Sequence, residues 1–170
     1  MNLRDVRRRV LLCMLTMGAL VSACSPALDW RDTPIPGGAV TALFPCKPDV
    51  HVRRVVLAGS EMQMHLSSCS AAGDVYAVSH VDVGDPGRVA SVMQRLRALT
   101  AENIGGTETV MGAPPVPGME PHPLAERIAV IGKRADGSAI EAQALFFAKD
   151  TVVYQVTVVG SRLDAEAVDT

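Results

Sequence analysis

The sequence predicts an α+β domain: an antiparallel β-sheet of about six to seven strands, packed with one central helix and a C-terminal helix. Three observations carry that expectation. Short valine-rich segments recur with turn residues between them, a single stretch has helical spacing, and that stretch separates two groups of strand segments.

The elements follow in order. Ala39–Phe44 reads as a first strand that stops at Pro45. His51–Leu57 and Glu61–Ser68 flank Ala58-Gly59-Ser60 as a hairpin, and Asp74–Val83 is a fourth, valine-rich strand. Asp85-Pro86 supplies an N-cap and a first-turn proline for a helix whose Val89, Val92, Met93, Leu96 and Leu99 share one face. Gly105-Gly106 ends it. Residues 113–123 hold five of the eleven prolines and predict an exposed extended loop. Arg127–Lys133 and Ser138–Ala148 flank the Asp136-Gly137 turn, and Thr151–Val159 follows as a third antiparallel neighbour. From Leu163 onward the spacing is helical without a stop signal, so the expectation is a domain truncated within its last helix at Thr170.

The start of the chain carries a different signal. Arg4, Arg7, Arg8 and Arg9 precede an apolar run from Val10 to Val21, which is too short for the roughly 20 residues that span a bilayer. Val21-Ser22-Ala23-Cys24 then resembles the lipobox of bacterial lipoproteins. That resemblance implies cleavage after Ala23, lipid on Cys24 and attachment to a membrane facing the periplasm. Ser25 in the following position implies the outer membrane. The alternative is an ordinary secreted chain with Cys24 free. Residues 1–23 are thus expected to be a signal peptide, 24–37 a lipidated tether with three prolines, and 38–170 a single domain.

Removing the leader changes the charge. The chain carries 16 Lys+Arg and 18 Asp+Glu; the leader holds four of the former and one of the latter, which leaves 12 against 17. A mildly acidic domain with scattered basic residues argues against nucleic-acid binding. The cysteines sort in the same way. Cys13 leaves with the leader and Cys24 takes lipid, so Cys46 and Cys69 remain as a pair in an oxidising compartment, where a structural disulfide outweighs a redox or metal pair.

Phe44-Pro45-Cys46-Lys47-Pro48, the Asp85-Pro86 helix and Val153-Tyr154-Gln155-Val156 together resemble small exported bacterial domains of PsbP/Mog1-like fold. The resemblance implies that fold over about residues 39–170 and no particular activity. The cysteine pair departs from the usual Phe-Pro-Gly form of the first motif.

No catalytic residues, metal site or cofactor is assigned. Met62, Met64 and His65 suggest copper, but strand alternation turns Met62, Met64 and Leu66 to a core face and Glu61, Gln63, His65 and Ser67 to solvent. His65, His80 and Asp82 would converge if their strands pair; scattered polar side chains are the plainer reading. Gly-X-Ser-X-Gly is absent, and Gly105-Gly106 follows a helix where a phosphate cradle would open one. The loop bearing Pro114, Pro115, Val116, Pro117 and Met119 is a candidate partner surface, with Val116 and Met119 as apolar anchors. Arg95 and Arg97 read as the solvated side of the helix, and Trp30 either meets the lipid interface or packs back on the domain. The functional expectation is a non-enzymatic accessory or assembly module working through an envelope protein partner; the alternative is a periplasmic carrier of a small ligand or metal ion. Replacing Cys24 by Ala is expected to abolish metabolic labelling with palmitate while the far-ultraviolet circular dichroism of the domain stays unchanged.

Overall fold

The computed structural model describes residues 28–112 and 116–163. In chain order they form β1 (Arg31–Pro34), β2 (Thr41–Phe44), β3 (Asp49–Leu57), β4 (Ser60–Ala71), β5 (Asp74–Asp82), a short 3-10 turn Pro86–Arg88, α1 (Val89–Ile104), β6 (Thr107–Gly112), β7 (Arg127–Lys133), β8 (Ala139–Lys149) and β9 (Val152–Gly160). The strands from β3 to β9 make one antiparallel sheet in the order β3-β4-β5-β9-β8-β7-β6, while β1 and β2 pair as a separate ribbon. This is an α+β architecture with a seven-stranded antiparallel sheet and a central helix. Residues 1–23, expected to be a signal peptide, Cys24 and most of the helix expected from Leu163 onward lie outside the described residues.

Local chemistry explains the hairpins. At both Ala58-Gly59 and Ala72-Gly73 the two turn residues have positive φ, the geometry whose twist matches that of flanking strands. Asp85 Oδ1 accepts from the Gly87 amide at 2.9 Å and so caps the 3-10 turn Pro86–Arg88 and not α1 itself, which follows from Arg88 without a side-chain cap; α1 ends at Gly105, φ 62°, whose amide donates back to Ala101 and Glu102. The helix carries the chain from β5 in mid-sheet to β6 at the far edge. Val92, Met93 and Leu96 sink into a core with Ile128, Val130, Ala142, Ala144 and Phe146, where the alanines let the helix approach closely. At its exit a Cβ on Gly106 would stand 2.2 Å from the Ile131 carbonyl oxygen, so only glycine fits between helix and β7.

Four expectations are corrected. The tether was expected to run to residue 37, yet Arg31–Pro34 is a strand and Ile35 is buried, because the prolines border a ribbon that has its own apolar seat. That ribbon lies on the sheet face opposite the helix, over a second core of Ile35, Phe44, Tyr76, Val78 and Val158. The face holding Gln63, His65 and Ser67 is therefore covered in part; Ser67 is buried and His65 half-buried. Arg97 is only partly solvated: it bridges Glu108 and Glu126, tying α1 to β6 and to the segment before β7, while Arg95 pairs with Glu102 at 2.8 Å on the surface. Strand β6 was missed, since its six residues stand directly before the proline-rich stretch and only Glu108 among them is even partly buried.

A disulfide joins Cys46, just past β2, to Cys69 on β4, residues 23 apart in sequence. It fastens the ribbon to the sheet. A loop of about two dozen residues closed in this way stabilises the fold by about 3.5 kcal/mol in the chain-entropy account. Replacing both cysteines by serine is expected to lower the unfolding free energy by roughly that amount, measured by urea denaturation; an unchanged midpoint would show that the bond contributes nothing.

Candidate binding face

The register of the sheet builds the ribbon-side face. His65 on β4 stands opposite His80 on β5, His80 opposite Tyr154 on β9, and Tyr154 opposite Phe147 on β8. Side chains directly opposed across antiparallel strands are within reach of one another, so the four rings stack as one row. Their centroids are 4.8, 5.6 and 4.9 Å apart in that order. Tyr154 is fully buried, and its hydroxyl accepts from the Ala39 amide at 3.0 Å, which pins the turn of the β1–β2 ribbon onto the row.

The row divides the face into two cavities. On one side lies an apolar cleft of about 240 Å³ between ribbon and sheet, lined by Trp30, Ala42 and Phe44 from the ribbon side and by Tyr76, Val78, Leu145 and Val156 from the sheet. No charged side chain lines it. Trp30 packs back on the domain, edge-on to Tyr76 with centroids 5.7 Å apart, which settles the choice its sequence position left open.

On the other side is a polar pocket of about 230 Å³ formed by Gly37, Gln63, His65, His80, Asp82 and Val152. The strands thus do bring His65, His80 and Asp82 to one place. They do not make a working acid–base group there. Asp82 Oδ1 accepts from the Thr151 hydroxyl at 2.7 Å and the Gly84 amide at 2.9 Å, and it bonds neither imidazole. Those contacts, the Thr151 hydroxyl first, hold its carboxyl below the ordinary range. His80 is 3% exposed and its Nδ1 has no hydrogen-bond partner among the described residues. Burial depresses its pKa, the neighbouring His65 depresses it further, and the Gly37 backbone opposes both.

Other sequence candidates fall elsewhere. Met62 is buried on the helix side of the sheet, opposite to His65, so the copper grouping is not assembled. Among the described residues no three His, Cys, Asp or Glu side chains are placed to hold a metal ion. His51 is exposed on β3, and His122 Nδ1 accepts from the Leu124 amide at 3.1 Å. In the proline-rich loop, Pro114 and Pro115 lie outside the described residues and Pro117 is exposed. Val116 and Met119, expected as free anchors, turn inward: both pack against the core, and Val116 lines the cleft. Burying their apolar surface explains the inward turn, and the Glu120 amide, donating to the Ala148 carbonyl at 3.1 Å, fixes the loop on β8.

Phe147, which with Tyr154 organises the face, was not singled out in the sequence, and Tyr154 was marked only as part of the Val153-Tyr154-Gln155-Val156 strand motif. The available signal was their position on valine-rich strands together with Ile35 and Phe44 in a segment read as tether and first strand. The chain matches no protein-family model, no curated protein and no solved structure in comparisons of sequence and fold.

The histidine row makes stability depend on pH. Above about 6.5, the ordinary imidazole value, His80 is neutral in both folded and unfolded chains. Below it the unfolded chain takes up a proton that folded His80 resists, so stability present above 6.5 is lost as pH falls toward the depressed folded pKa. The melting temperature is expected to drop between pH 7 and pH 5, and His80→Phe, which keeps the stacked row, is expected to flatten that drop. Equal slopes for the two proteins would refute the assignment.

Proposed function

We propose that this chain is a lipoprotein of the bacterial cell envelope, cleaved after Ala23, lipidated on Cys24 and held facing the periplasm at the outer membrane. In this reading the domain performs no chemistry and serves as an accessory or assembly module through contacts with a protein partner. The apolar cleft under the ribbon carries the reading. Its volume of about 240 Å³ is below the roughly 300–1,000 Å³ of small-molecule pockets, which suits a few apolar side chains better than a whole ligand. Aromatic and aliphatic walls free of charge are also what the buried centre of a protein interface requires.

The lipobox residues support the address. Trp30 lines the cleft six residues after Cys24, and a span of six residues reaches about 20 Å at most. A cleft on so short a lead faces partners in or close to the membrane. We also read the fold as PsbP/Mog1-like with a closing C-terminal helix, a reading supported by the Phe44-Pro45-Cys46-Lys47-Pro48 segment and by the helix that follows Asp85-Pro86.

The open, largely apolar lining of the same cleft also favours a second reading, a carrier of a small apolar ligand. Both are tested by placing a photo-crosslinking side chain at position 41 of the full chain in its native envelope. The expected result is a covalent adduct with a protein, abolished when Ala42→Trp fills the cleft without unfolding the domain. Adducts with lipid alone would select the carrier, and no adduct of either kind would overturn both readings.

A further inference from the structure

Strand β3 is an edge of the seven-stranded sheet, and its residues from Asp49 to Arg54 are exposed one after another. Neither covering layer reaches them. Alternation puts Val50, Val52, Arg54 and Val56 on the ribbon side and His51 and Arg53 on the helix side. The three valines are 47%, 53% and 69% exposed, so a row of β-branched side chains suited to a sheet interior faces water. Natural sheets blunt a free edge of this length, usually with charge, because its unpaired backbone templates another strand.

Here the mid-strand charge is basic, and the one carboxylate, Asp49, stands at the strand's first residue. Arg54, with its side chain 79% exposed, has only a 3.6 Å contact to Glu61, and Arg53 makes no ion pair among the described residues. Both belong to a domain that carries 12 basic against 17 acidic residues once the leader is removed. A basic edge on an acidic body selects an acidic partner. A second copy is a poor occupant, since two β3 strands paired antiparallel over their whole length set Arg53 against Arg53 and Arg54 against Val52.

We propose that β3 is a docking edge to which an extended, acidic segment of a partner protein adds as a further strand. Its backbone completes the edge, its apolar residues lie beside Val50, Val52 and Val56, and its carboxylates, on the opposite face, pair with Arg53, while Arg54 adds to the positive field of the edge. The proposal rests on the protein-contact reading and names a surface separate from the cleft.

The test uses the full chain in detergent micelles and a fluorescent nine-residue peptide alternating valine with glutamate, compared with its valine–lysine twin. The glutamate peptide is expected to bind roughly tenfold or more tightly than the lysine peptide, with an affinity that weakens as salt is raised. Val52→Lys is expected to weaken that binding, and the surface reversal Arg53→Glu with Arg54→Glu is expected to invert the preference while leaving circular dichroism unchanged. Equal affinity for the two peptides, a preference that survives the reversal, or self-association in sedimentation abolished by Val52→Lys would each overturn the proposal. Loss at the edge with cleft adducts intact removes this inference alone; loss of both removes the protein-contact reading.

Discussion

A sheet whose strands carry apolar side chains on both faces has to be covered twice, and the rest of this structure follows from that requirement. Val81, Val130 and Val153 face the helix, while Val78, Tyr154 and Val158 face the other way, and all six are buried. Each valine-sized side chain removed from water contributes about 1.5–3 kcal/mol, so leaving either face open would forfeit much of the stability a domain of this size possesses. Helix α1 covers one face. The second cover comes from the segment before the sheet, folded as the β1–β2 ribbon.

An isolated two-stranded ribbon is marginal in water, so its hold on the sheet depends on tertiary fastenings. The Cys46–Cys69 bond anchors its exit, the Tyr154 hydroxyl anchors its turn, and Ile35 and Phe44 bury its inner side. The ribbon is also narrower than the sheet. Where its side chains meet the sheet loosely an apolar cleft remains, and where it stops short the valines of β3 face solvent. Both candidate surfaces thus arise from one mismatch between a wide sheet and a small cover.

The histidine row has the same origin. His65 and His80 sit on strands whose register places them opposite, and the ribbon turn at Gly37 closes over them. Covered, His80 loses hydration and gains a like neighbour, and its proton affinity falls.

Much of this was legible residue by residue. Valine alternation marks the main strands, Asp85-Pro86 and Gly105 bound the helix, and Cys46 and Cys69 form a bonded pair. These features rest on local rules: side-chain period, capping and turn chemistry act within a few residues and leave their mark in the chain itself. The ribbon, the stacked row and the inward turn of Val116 and Met119 were not legible, although the residues were in view. Their placement depends on contacts such as Ala39 with Tyr154, 115 residues apart, whose pairing no local pattern encodes. By itself the sequence determined most of the segments that extend, the central one that coils and the Cys46–Cys69 pairing. Only the tertiary structure decided which polar face would be covered, because that choice is made by burial summed over the whole sheet.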